Sequence, residues 1–253
     1  MEVCWGKRYD DYALYVVRPE AEAHIKYLQT LQDNKFMDVI FLRSPNMFDN
    51  LPLLVNRDDQ DQFKERTQHF AIKTERVFPD IQREFEMQSG KDSSEMQNRS
   101  IWEYYHTLND IHKWLNKTAA EYSSITKLQP IGRSAENRTI YSFCIKERGE
   151  NNYKVIVEAG THGHEWISTA VAMYLIDQLL TSNFNLLVEL KQMYTWYFIP
   201  VVNPDGYVYS HEHDRLWRKN RRRTQGKFVG VDLNRNFKFN FALYSVVWSV
   251  SAV

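Results

Sequence analysis

Residues 12–17 (YALYVV) carry aromatic and β-branched side chains in close succession, a composition that predicts a strand. After Pro19 and Glu20, the apolar residues Ile25, Leu28 and Leu31 recur at intervals of three, the spacing of one helix face. FMDVIFLR (36–43) and LPLLV (51–55) predict two further strands, parted by a turn region around Asn46 and Asn50. A polar helix over 60–70 and a strand over 71–78 (AIKTERVF) follow. The order β-α-β-β-α-β is the split βαβ, ferredoxin-like arrangement. Residues 88–100 (QSGKDSSEMQNRS) are polar and aperiodic, so they read as a linker.

The pattern then changes. Leu108, Ile111 and Leu115 set a helix over 107–122, and two short strands are expected over 138–146 and 153–159. A helix over 166–180 and an apolar strand over 194–202 (YTWYFIPVV) complete the series. Strands alternating with helices, some apolar almost throughout, predict an α/β domain around a buried mixed sheet. The expected fold class is α/β, with an α+β ferredoxin-like domain ahead of it. No internal repeat is evident.

Composition narrows the function classes. Among 253 residues, 32 Lys and Arg balance 32 Asp and Glu, so neither sign dominates the far field. That argues against a coat for nucleic acid or an anionic membrane surface. No apolar run approaches the roughly 20 residues that span a bilayer. With 43% hydrophobic and 14% aromatic residues, a core is expected. Two cysteines, Cys4 and Cys144, exclude a disulfide scaffold. Asn98, Asn116 and Asn137 each open an Asn-x-Ser/Thr sequon, which points to a secreted ancestry. The first ten residues (MEVCWGKRYD) show no secretory apolar segment.

The chemistry concentrates in four segments. In VIVEAGTHGHEW (155–166) a buried strand delivers a glycine, two histidines and a glutamate just before a helix. His162 and Glu165 are three apart, which lets an imidazole and a carboxylate converge on one metal ion at roughly 2.0–2.2 Å. The same residues suit a loop histidine and a glutamate facing the helix dipole, and spacing alone does not separate the readings. Three further segments add context: IPVVNPDGY (199–207), a strand running into a Pro-Asp-Gly turn, then RLWRKNRR (215–222) and GVDLNRNF (230–237). Arginines beside a candidate metal can hold a substrate carboxylate or steady an oxyanion.

H-x-x-E after a strand, then NPDG, then WRK-x-R, then GVD-x-NRN resembles the zinc metallocarboxypeptidases of the digestive A and B type, which carry an activation domain. The resemblance implies an activation domain over 9–88, a linker over 89–100, and the start of a peptidase over 101–241. It implies one Zn2+, with His162 and Glu165 as two of its ligands. By the same resemblance Arg218 stabilises the oxyanion of the tetrahedral intermediate, while Asn234 and Arg235 grip the substrate's terminal carboxylate. Arg215 is expected to line the approach to the cleft. Peptide or protein C-termini are the implied substrates, a monomer the implied state and the extracellular space the implied location, with no nucleic acid or membrane partner.

His164 stands where the family usually has Arg, which bears on specificity more than on metal binding. His211 and His213 are expected at the surface. The family pattern runs well beyond the NRN motif, where its third zinc ligand, a tyrosine, the specificity pocket and a glutamate base lie. Residues 242–253 (ALYSVVWSVSAV) do not resemble it and hold neither His nor Glu. The expectation is a truncated, inactive product. The alternative is a non-catalytic protein whose activation domain binds and inhibits a full-length carboxypeptidase.

Overall fold

The computed structural model describes residues 6–89, 104–147, 153–224 and 229–237. Cys4, Asn98, most of the expected linker, residues 101–103 and the tail 242–253 lie outside the described residues. The chain divides into two compact units, Arg8–Asn98 and a second made of Met1–Lys7 with Arg99–Val253.

In the first unit, β1 (Tyr12–Arg18), α1 (Glu22–Asn34), β2 (Val39–Phe41), β3 (Leu51–Asn56), α2 (Gln60–His69) and β4 (Lys73–Phe78) follow the expected order. Their strands form one antiparallel sheet in the order β2-β3-β1-β4, the ferredoxin-like arrangement. Alternate residues of β1 (Ala13, Tyr15, Val17) turn inward to meet Leu28 and Leu31 of α1 and Phe63 of α2. The Tyr15 and Phe63 rings meet edge to face with centroids 5.4 Å apart. One helix was not foreseen. Asp80 accepts a hydrogen bond from the Arg83 amide and starts α3 (Ile81–Gln88), which buries Ile81 and Phe85 one turn apart.

The second unit holds α4 (Leu108–Glu121), β5 (Thr126–Arg133), β6 (Thr139–Ile145), β7 (Tyr153–Glu158), α5 (Trp166–Thr181), α6 (Asn185–Met193), β8 (Tyr194–Ile199) and α7 (Pro204–Glu212). The sheet order is β5-β6-β8-β7, antiparallel except for the parallel pair β7 and β8, so the expected mixed sheet is present. Thr107 caps α4, whose Leu108, Ile111, Leu115 and Thr118 are buried. Phe143, Ile145 and Phe198 from the sheet meet Trp166, Met173, Ile176 and Leu179 of α5 in the core.

The Pro-Asp-Gly turn expected after β8 is instead the first turn of α7. Asn203 caps that helix by accepting from the Gly206 amide, and Pro204 occupies the position where a missing N–H costs nothing. Asp205 is buried and receives Ser134 Oγ at 2.6 Å, Arg138 Nη1 at 2.8 Å and the Glu136 amide at 3.0 Å. One carboxylate thus ties α7 to the loop joining β5 and β6.

Candidate metal centre

β7 runs through Ala159 into Gly160, whose φ of +66° turns the chain where other residues would be strained. The next residues, His162 to Glu165, reach the start of α5. Their path is set by close backbone contacts. A Cβ on Gly163 would lie 2.4 Å from the Gly206 oxygen and 2.7 Å from the Trp217 oxygen. Gly163 therefore marks the point where three of the four sequence segments touch. Its amide donates to the Arg218 carbonyl at 3.1 Å. Asn203 adds a second tie, donating Nδ2 to the Thr161 and Lys219 carbonyls, each at 3.1 Å.

These ties bring four charged side chains into a closed ring. His162 Nδ1 lies 3.1 Å from Glu165 Oε2, and His162 Nε2 lies 3.1 Å from Asp232 Oδ1. Arg218 donates Nε to Asp232 Oδ2 at 3.0 Å and Nη1 to Glu165 Oε1 at 3.4 Å. Glu165 is the N-cap residue of α5 and makes no side-chain capping bond there; its carboxylate contacts His162 and Arg218 instead.

The charges follow from these contacts. The hydrogen bond to Asp232, then that to Glu165, raises the His162 pKa to about 9 against the cost of burial. With a carboxylate at each ring nitrogen, the metal-free imidazole carries both protons. Burial pushes the Asp232 carboxyl up, but His162 and Arg218 together outweigh it and hold the group well below the usual carboxylate range. His162 likewise lowers Glu165. Burial drops His164 to about 4, so it is neutral at physiological pH.

The donor set fits a zinc ion in part. At usual bond lengths, two donors of a tetrahedral zinc lie about 3.3 Å apart. The 3.1 Å between His162 Nδ1 and Glu165 Oε2 is close to that span. Asp232 accepts from the opposite nitrogen, the carboxylate–histidine arrangement that fixes the tautomer of a metal-ligating imidazole. Among the described residues, no group of three or more His, Cys, Asp or Glu is placed to hold a metal.

The other expected residues are distributed unevenly. Asn234 and Arg235 are exposed on a 3-10 turn, Leu233–Arg235, that Asp232 caps through the Asn234 amide at 2.9 Å. Arg215 is not on an open approach. It is 8% exposed, lies 3.6 Å over the Trp166 ring and donates Nη1 to the His164 carbonyl at 2.8 Å. Trp166 draws it inward, because a weakly hydrated guanidinium stacks on an aromatic face. His211 also departs from the surface position expected for it. It is buried on the last turn of α7 and stacks on Trp166 with centroids 3.8 Å apart. His213 is exposed, as expected. Asp232 was missed as a site residue, although its place two residues before the Asn-Arg pair was legible.

The carboxypeptidase activation peptide family matches residues 15–88, and the zinc carboxypeptidase family matches residues 111–249. The second match runs past residue 241, where the resemblance had been expected to stop. Zinc carboxypeptidase A 1 of Anopheles gambiae is 32% identical over 236 residues, covering 93% of this chain and 54% of that protein. An inactive metallocarboxypeptidase ECM14 of Ajellomyces capsulatus is 38% identical over 160 residues, 60% of this chain and 27% of that one. The crystal structure of thrombin activatable fibrinolysis inhibitor shares the fold, with a TM-score of 0.77 at 24% identity over 90% of this chain and 59% of that one. The chain spans about half the length of the curated relatives it matches. With both matches in their expected order, the chain belongs to the zinc carboxypeptidase family and carries that family's activation peptide.

Proposed function

We propose that the chain is the activation peptide and zinc-binding part of a metallocarboxypeptidase zymogen that releases C-terminal residues from peptides in the extracellular space. Residues 9–88 are the activation domain, 89–100 the linker cut on activation, and 101 onward the peptidase. The observation that carries the reading is the approach of His162 Nδ1 to Glu165 Oε2 at 3.1 Å, with Asp232 behind the opposite nitrogen. His162 and Glu165 would hold one Zn2+, which supplies Lewis-acid stabilisation of charge developing on a carbonyl oxygen.

Asp232 keeps the His162 proton on Nε2 and leaves Nδ1 for the metal. Through the same carboxylate it orients Arg218, whose donors stabilise the oxyanion. Asn234 and Arg235, presented together on the turn that Asp232 caps, receive the substrate's terminal carboxylate.

A catalytic zinc takes three protein donors, and the described residues bring two to this point. The 253-residue chain alone should therefore bind zinc weakly and turn over poorly. Zinc titration against a competing chelator tests the assignment. Asp232→Asn should weaken binding about 10–100-fold, since the amide cannot accept from both His162 and Arg218. His162→Ala should remove it, and tight zinc that survives His162→Ala would overturn the assignment.

A second, non-catalytic reading is favoured by the similarity to a relative named as inactive. In that case the activation domain occupies the cleft of a full-length carboxypeptidase. Added to a mature carboxypeptidase, the chain should then inhibit it, whereas a catalytic chain whose activation domain serves only itself should not.

A further inference from the structure

Of the three Asn-x-Ser/Thr sequons, Asn98 lies outside the described residues, and the other two acceptors sit in different surroundings. Asn116 is part of α4 (Leu108–Glu121), where its Nδ2 donates to the His112 carbonyl at 2.7 Å. The hydroxyl residue of its sequon, Thr118, is on the buried side of that helix and 8% exposed. Asn137 instead lies exposed in the turn between β5 and β6, with a φ of +64°. The turn is closed by its own bonds. The Asn137 amide donates to the Ser134 carbonyl at 3.0 Å, and the Ser134 amide to the Arg138 carbonyl at 2.9 Å. Arg133 adds a third, from Nη1 to the Asn137 carbonyl at 2.9 Å. The middle residue of the sequon, Arg138, is held by buried Asp205, with Nη1 2.8 Å from Oδ1. Among the described residues, neither Asn137 Nδ2 nor the Thr139 hydroxyl makes a hydrogen bond.

We infer that Asn137 is an N-glycosylation site of this chain, in preference to Asn116. A left-handed turn position suits asparagine, but glycine adopts it at no steric cost. Thr139 faces Arg133 across the two strands, a place open to any β-former. An asparagine at the turn with a hydroxyl residue two positions on is the pair that an N-glycan acceptor requires. A bulky, polar glycan at this turn projects into water and displaces no packed side chain. In the transfer, Asn137 Nδ2 attacks the anomeric carbon of a lipid-pyrophosphate-linked oligosaccharide. The N–C bond forms as the C–O bond to pyrophosphate breaks. The lipid pyrophosphate leaves with the electron pair, and one amide proton passes to a base of the transferring enzyme. The inference rests on the extracellular reading proposed above.

The 253-residue chain, expressed behind a secretory signal in animal cells, should carry a glycan on Asn137 in both medium and secretory compartments. Enzymatic deglycosylation in heavy-oxygen water, followed by peptide mapping, reads occupancy at each asparagine as labelled aspartate. Asn137→Gly, which suits the turn, should remove one glycan step in electrophoretic mobility and leave circular dichroism unchanged. Thr139→Val should remove the same step with Asn137 still present, and Thr139→Ser should keep it. Occupancy at Asn116 should fall below that at Asn137. A bare Asn137, a Thr139→Val chain that keeps the step, or Asn116 occupied as fully as Asn137 would each overturn the inference. Zinc titration of the same preparation tests the carboxypeptidase reading separately, so a zinc-binding chain with a bare Asn137 would defeat this inference alone.

Discussion

Asp232 accepts from His162 Nε2, Arg218 Nε and the Asn234 amide at 2.9 to 3.1 Å, so one carboxylate couples the histidine, the arginine and the exposed turn. Between its two carboxylates His162 holds a proton more tightly than in an unfolded chain, with its pKa raised from 6.5 to about 9. The folded metal-free protein therefore binds more protons than the unfolded one between those values. The sign follows by linkage: the contribution is complete below pH 6.5 and is lost as pH rises through 9. The metal-free protein should lose thermal stability across that window, and His162→Ala should flatten the loss. Zinc should compete with the Nδ1 proton, so uptake should release about one proton per ion, measurable by titration in weak buffer.

At the scale of elements, the segments carrying the chemistry are held by close backbone contact as well as by side chains. Gly163 has no room for a methyl group, because Gly206 and Trp217 backbone oxygens fill its Cβ direction. Gly163→Ala should cost about 3 kcal/mol of stability, the upper range for forced overpacking. It should also weaken zinc binding by separating the segments. Denaturant unfolding with a parallel metal titration checks both, and a change within about 0.5 kcal/mol would show that the contact relaxes freely. Besides α7, three elements were absent from the expected series. β5 is an edge strand with Pro130, a register shift and mostly exposed residues, so it shows no clean alternation. α6 buries none of its residues fully, but Leu186, Leu187, Leu190 and Met193 recur at helical spacing and Leu187 packs against the core, so its signal was also there to be read. α3 did show Ile81 and Phe85 one turn apart behind a capping Asp80, a signal strong enough to have been read.

On the scale of the whole molecule, each compact unit closes a core of its own, one around Tyr15, Leu28, Leu53 and Phe63, the other around Phe143, Trp166, Ile176 and Phe198. Arg8–Asn98 expressed alone should fold, giving one cooperative transition with native-like circular dichroism. A broad, non-cooperative transition would show that this core depends on the rest of the chain.

The sequence alone determined the β-α-β-β-α-β order over residues 12–78, the mixed sheet and the three-residue spacing of His162 and Glu165. It could do so because periodicity and short-range spacing are local properties, set within a few residues by helix and strand geometry. Tertiary structure decided what depends on distant partners. Asp232 reaches His162 across 70 positions, so its role has no local signature. Arg215 and His211 carry polar groups that pattern places at the surface. Trp166, more than 40 positions away, buries them on its ring because stacking and the His164 carbonyl replace the water they leave.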